Sequence, residues 1–131
     1  MKTRRFDHID LRVREIAAAR PFYARILPEL GFTIASSSGE WSIWQAPGDG
    51  PVEFFGFTEA PRHQPNDNRI AFWAESQAEV DRLAEIVRQA GGQNLEGPEL
   101  WREYSPGYYA FFFEDPSGNK LEICCRQSRA A

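Results

Sequence analysis

The sequence predicts an α+β fold: two βαβββ modules whose mixed strands curve around a cleft, with the helices outside. Three observations carry this. Strand-like alternation and helix-like periodicity follow one another in the order βαβββ, and the order then starts again. The opening strands begin alike, His8-Ile9-Asp10-Leu11 and Arg69-Ile70-Ala71-Phe72, 61 positions apart. The closing strands carry one acidic residue each, Glu53 and Glu122, 69 positions apart, and each lies six residues after a proline, Pro47 or Pro116. The 131 residues are one domain by length. The repeat divides that domain into module one, about residues 6–58, and module two, about residues 69–126. One helix on four strands is too thin a layer to bury its own face. Pairing two such sheets, helices outward, leaves a cleft between their inner faces.

In the first module, Ile9, Leu11 and Val13 alternate with His8, Asp10 and Arg12, so Phe6 to Val13 reads as a half-buried strand. Ile16, Ala19, Phe22, Tyr23, Ile26, Leu27 and Leu30 recur at helical spacing. Pro21 is expected in that helix's first turn, and Pro28 should end or kink it near Ile26, with Gly31 releasing the chain. Strands follow at residues 32–36, 41–46 and 52–57, parted by Ser37-Ser38-Gly39 and Pro47-Gly48-Asp49-Gly50. Residues 59–68 read as a linker. In the second module, residues 69–74 form a strand. Ser76 and Glu79 make a capping box, Val80, Leu83, Ala84, Val87 and Ala90 form the apolar stripe, and Gly91-Gly92 stops the helix. Strands at 93–96, 108–114 and 120–125 complete the module, the last two joined by Asp115-Pro116-Ser117-Gly118-Asn119.

Composition excludes several classes. With 42% hydrophobic and 26% charged residues the chain has the balance of a globular protein, and 14% aromatics argue against disorder. A net charge of −4 argues against nucleic acid or an anionic membrane as partner. The longest apolar run, Tyr108 to Phe113, is far short of a membrane span. The basic start has no apolar stretch behind it, so a cytoplasmic protein is expected, with adjacent Cys124 and Cys125 as free thiols.

Alternation places Ile9, Leu11, Ile70, Phe72, Leu121 and Ile123 toward the helices. His8, Asp10, Arg12, Arg69, Ala71, Trp73, Glu122 and Cys124 then face the other way, and Glu53 joins them by its match to Glu122. An imidazole with two carboxylates can hold a divalent metal while leaving positions open for substrate. The simpler reading of spacing alone is a salt-bridge network in which Arg69 neutralises Glu53 and Glu122. Arg69 cannot itself ligate a metal. Trp41, Trp44, Trp73, Trp101, Tyr104 and Tyr108 can line a pocket or simply fill core. Arg12, Arg69, Trp73, Trp44 and Tyr104 are the candidate substrate contacts. Cys124 shares the Glu122 face without an identifiable base, which favours an inert buried thiol over a nucleophile. His63 falls in the linker and reads as a surface residue.

Phe6-Asp7-His8-Ile9-Asp10-Leu11-Arg12-Val13 and the stretch from Pro21 to Phe32 resemble the first module of the vicinal oxygen chelate superfamily. That group includes glyoxalases, bleomycin- and fosfomycin-resistance proteins and extradiol dioxygenases. The second half is similar in Asn68 to Ala74, in Ala78 to Gly92 and in Tyr108 to Ile123, with its Asp-Pro-Ser-Gly-Asn-Lys-Leu-Glu run. The resemblance spans about residues 6–126. It implies metal ligands on the first and last strands of each module, which fall on His8, Glu53, Arg69 and Glu122. Three of these match, and Arg69 departs. The resemblance therefore implies a glyoxalase- or dioxygenase-like protein acting on a small oxygen-rich substrate at a degenerate site. His8, Glu53 and Glu122 would hold Zn, Ni, Mn or Fe, and Glu122 would serve as base. The alternative it implies is a metal-free protein that sequesters a small molecule, with Arg69 as anion clamp. Members are often dimers, so a homodimer is expected.

Overall fold

In a computed structural model of the chain, which describes residues 5–126, the elements appear in the predicted order. The first half contains β1 (His8–Val13), α1 (Ile16–Ile26), β2 (Ile34–Ser38), β3 (Trp41–Gln45) and β4 (Phe54–Glu59). The second contains β5 (Arg69–Trp73), α2 (Gln77–Ala90), β6 (Gln93–Leu100), β7 (Tyr108–Glu114) and β8 (Lys120–Arg126). The chain divides into two compact units, Met1–Gln64 and Pro65–Ala131. Each holds a four-stranded mixed sheet with one strand order, β1-β4-β3-β2 in the first and β5-β8-β7-β6 in the second. The outer pair β1/β4 or β5/β8 is parallel, and the remaining pairs are antiparallel.

Local chemistry sets the helix ends. The side chain of Ser76 accepts from the Glu79 amide at 3.1 Å, and Gly91 closes α2 at φ 96°, a left-handed conformation that glycine adopts without steric cost. Glu79 reaches back to the amide of Glu75 rather than to that of Ser76. α1 has no side-chain cap of its own. Glu59, at the end of β4, accepts from the Ile16 amide at 2.8 Å and places an acidic group at the positive end of the helix. The helix therefore starts at Ile16, and Pro21 lies in its interior, not in its first turn as the sequence suggests. Pro28 begins a separate 3-10 turn, Pro28–Leu30, which Gly31 ends at φ 99°. β6 runs past its expected end through Pro98. It is an edge strand with register shifts, where a residue without an amide proton is tolerated.

Each sheet buries one face against its helix. Tyr23 of α1 packs on Phe55 and Phe57, with ring centroids 5.3 and 4.8 Å apart. In the second unit Val80, Leu83, Ala84 and Val87 of α2 are buried, as are Phe111, Phe113, Leu121 and Ile123 of the sheet. Removing a large side chain of this kind from water contributes about 1.5–3 kcal/mol. Tyr109 adds a polar tie, donating to Asp81 of α2 at 2.6 Å.

The registers revise one expected equivalence. His8 lies opposite Phe54 and Asp10 opposite Gly56, whereas Arg69 lies opposite Lys120 and Ala71 opposite Glu122. With His8 matched to Arg69, the residue in the place of Glu122 is Gly56, not Glu53. Glu53 is exposed and precedes β4 by one residue. The match made from proline spacing differs by three positions, and an odd shift along a strand exchanges its two faces.

Candidate functional site

The second unit builds a hollow from its strand pattern. Arg69, Ala71 and Trp73 alternate along β5, Glu122, Cys124 and Arg126 along β8, and Tyr108, Ala110 and Phe112 along β7. Trp73 is level with Cys124, and Cys124 with Ala110, while Arg126 is level with Tyr108. Small residues at Ala71, Ala110 and Cys124 thus sit among large ones. The result is a cavity of about 250 Å³ lined by Ala71, Phe72, Trp73, Tyr108, Cys124 and Arg126. Beside it, Ala110, Phe112 and Cys124 form a small apolar cluster on which Trp101 and Tyr108 pack.

A buried carboxylate lies next to this cluster. Glu122 is only 5% exposed, and its Oε2 accepts a hydrogen bond from the Tyr108 hydroxyl. Tyr108 reaches past the level of Cys124 to do so, which the small side chains between permit. Burial, then the bond to Glu122, pushes the Tyr108 hydroxyl well above the usual tyrosine range, so it stays protonated. Burial likewise raises the Cys124 thiol, and the nearby Glu122 adds to the effect. Cys124 is therefore a protonated thiol near neutral pH, not an activated nucleophile. The two guanidinium groups of this face lie on rings: Arg69 over Phe112 at 4.6 Å, and Arg126 over Trp73 at 4.8 Å. No ion pair between Arg69 and Glu122 forms among the described residues, so the salt-bridge network expected from spacing is replaced in this unit by a tyrosine–carboxylate bond and a cation on a ring.

The first unit fills the corresponding face with aromatic rings. His8 is stacked on Phe54, with centroids 4.5 Å apart and the planes 2° from parallel, and meets Trp41 edge-on at 5.7 Å. Its Nδ1 lies 2.8 Å from Asp7 Oδ1. Trp41 lies over Gly56 so closely that a Cβ there would come within 2.7 Å of the indole Cε2. The indole Nε1 is buried and has no hydrogen-bond partner among the described residues. Arg12 pairs with Asp10 on the same strand face. Trp44 sits opposite Phe55, in the register that packs against α1, away from His8.

Of the expected substrate contacts, Trp73 lines the hollow, and Arg69 sits on the ring of Phe112. Tyr104 is 63% exposed, 5.3 Å from the Tyr108 ring. Arg12 and Trp44 belong to the first unit. Sequence reasoning missed Arg126. The signal was present, because alternation along β8 from Glu122 through Cys124 leads to it. His63 belongs to a turn in which its amide donates to the Ala60 carbonyl at 2.8 Å.

A sheet that pairs its first strand in parallel with its last, twice in one chain, with a site face built on those strands, defines the glyoxalase class of fold. The Glyoxalase/Bleomycin resistance protein/Dioxygenase superfamily profile matches residues 5–123, and the chain belongs to that superfamily. It is 31% identical over 126 residues to the uncharacterized protein YqjT of Bacillus subtilis (strain 168), covering 88% of this chain and 94% of that one. Among solved structures it is similar to a glyoxalase/bleomycin resistance protein from Albidiferax ferrireducens T118. There the identity is 25%, the TM-score 0.73, and the coverage 93% of this chain and 98% of the other. A fosfomycin resistance protein, FosX, from Listeria monocytogenes, in complex with Mn(II) and 1S,2S-dihydroxypropylphosphonic acid, shares the fold. Its identity is 19% and its TM-score 0.66, with 93% of this chain and 90% of the other covered.

The residues present do not fit the superfamily's four-ligand metal arrangement. On β5 the ligand position is Arg69, a cation without a lone pair to donate. On β8 Glu122 is present, but its carboxylate is engaged by Tyr108. On β4 the position in register is Gly56, closed by the indole of Trp41. On β1 His8 remains a competent donor, its ring oriented by Asp7. Within either unit, no three His, Cys, Asp or Glu side chains among the described residues converge as a metal-holding group.

Proposed function

We propose that this chain binds a small molecule without a metal, in the manner of the sequestering members of its superfamily. The observation that supports this most directly is Arg69: the β5 ligand position carries a permanent cation, held over the Phe112 ring. A guanidinium there repels a metal ion and attracts an anionic or oxygen-rich ligand. The reading includes a homodimer, for which light scattering should give the mass of two chains. The test of the metal-free reading is elemental analysis of protein purified without chelator, beside an Arg69→His variant. Metal well below one equivalent in the natural protein, with uptake by Arg69→His, supports it.

A second reading is kept for one observation. The His8–Asp7 contact is the arrangement that orients a metal-bound imidazole. In that reading His8 gives its imidazole to a divalent ion, and the protein is a glyoxalase- or dioxygenase-like enzyme acting on a small oxygen-rich substrate. The Mn(II) complex of the Listeria FosX is a metal-holding protein with this fold. One equivalent of tightly held metal in the natural protein would establish this second reading and overturn the first.

A further inference from the structure

We propose that the hollow of the second unit takes a small planar aromatic carboxylate, its charge held by Arg126 and its ring by the Trp73 wall; this rests on the metal-free binding reading above. The first argument is size. About 250 Å³ lies just below the roughly 300–1,000 Å³ of drug-sized sites, so the body it takes is one or two rings. The second is the lining. Apart from Arg126 and the Tyr108 hydroxyl, it is apolar: Ala71, Phe72, Trp73, Cys124 and the Tyr108 ring. Trp73 is 69% exposed although large and apolar, which leaves ring surface for a ligand to cover.

Charge is the third argument. Arg126 is the only ionised group in the lining. Its contact is the Trp73 ring, and no carboxylate pairs with it among the described residues. A guanidinium placed over a ring still has N–H donors to offer a carboxylate in a forked contact. The other polar groups are already committed. The Tyr108 hydroxyl is spent on Glu122, and Cys124 is a neutral thiol. A sugar or polyol would leave its hydroxyls unpaired against this lining, and a phosphate dianion would meet one cation where two are needed. One negative charge on a flat apolar body is what remains. Arg69 contributes to the same face but does not line the hollow.

Calorimetric titration with 2-naphthoate, its neutral amide 2-naphthamide, and cyclohexanecarboxylate tests each part. Naphthoate should bind at least tenfold more tightly than either of the others. Arg126→Gln should bring naphthoate down to the level of the amide and leave the amide unchanged. Arg126→Lys should fall between, keeping the charge but losing the stacked fork. Arg88→Gln, on the exposed side of α2 where Arg88 pairs with Glu85, should bind as the natural protein does. Arg126 lies at the exposed end of β8, so the variants should keep the circular dichroism of the parent. Equal binding of acid and amide, full affinity in Arg126→Gln, or no naphthoate binding at millimolar concentration would each overturn the proposal. Metal content measured on the same preparation separates the two failures. Metal-free protein that ignores naphthoate sinks only the ligand class. Metal-loaded protein that still binds naphthoate through Arg126 sinks only the metal-free reading.

Discussion

The two units share a framework and differ in the face their sheets turn away from the helix. Strand order, the parallel outer pair and the single packed helix are the same in both. On the first unit that face is closed by rings: His8 on Phe54, Trp41 against both, and the indole pressed on Gly56. On the second it holds a buried carboxylate under a tyrosine, two guanidinium groups on rings, and a hollow. The difference traces to a few positions in register. Gly56 against Glu122 decides whether there is a carboxylate, and His8 against Arg69 decides whether the edge donates a lone pair or a charge. A repeated unit fixes where side chains stand, and the side chains at those places decide what the face can bind.

The sharpest way to break the comparison is to put a side chain on Gly56. Its Cβ would collide with the Trp41 ring, and the partly buried indole has to move. Gly56→Ala should destabilise the protein by up to about 3 kcal/mol in urea unfolding. Combining it with Trp41→Ala should recover part of that loss, as a positive coupling in a double-mutant cycle. If Gly56→Ala is neutral, the indole does not close this face and the contrast with the second unit fails.

The corresponding disturbance in the second unit is Tyr108→Phe. Removing the hydroxyl leaves Glu122 buried without its hydrogen-bond partner, at about 1–2 kcal/mol. The same change should raise the reactivity of neither cysteine toward a thiol reagent at pH 7, because burial is the first cause of both raised thiols. Unchanged stability would mean that the carboxylate draws nothing from the tyrosine.

Local signals were legible, and long-range registers were only partly so. Ser76 and Gly91 announced both ends of α2, because capping is a contact between near neighbours. The apolar stripe begins where α1 does, at Ile16, but Pro21 lies deeper than the first turn, and the cap, Glu59, comes from β4, 43 residues away, where no local signal shows it. Glu53 was matched to Glu122 by counting from prolines. The ladder measures something else, the residue that lies opposite on the partner strand, and it selects Gly56. The Tyr108–Glu122 bond depends on the β7–β8 register together with two small residues in between, while Arg126, which the reading missed, lies one step further along the alternation that gave Cys124. Candidate residues on a rigid strand can be found from parity, but the neighbours that engage them need the register.

The smallest expected effect lies on the helix-packed side of the second unit, where Tyr109 donates to Asp81. That hydrogen bond, then burial, raises the Tyr109 hydroxyl from its ordinary 10.0 to about 12. A hydroxyl whose pKa is higher in the folded than in the unfolded chain stabilises the fold fully below the unfolded value, and the contribution disappears as pH rises through the folded one. Asp81 is exposed, so solvent screens the pair and the contribution is only about 0.5 kcal/mol. Tyr109→Phe should therefore unfold at slightly lower urea than the parent, by the same margin at pH 7 and pH 9. Between pH 10 and 12 the two curves should converge as the parent ionises. A margin that grows with pH in that window would reverse the sign of the coupling and remove the α2–β7 tie from the account of this unit.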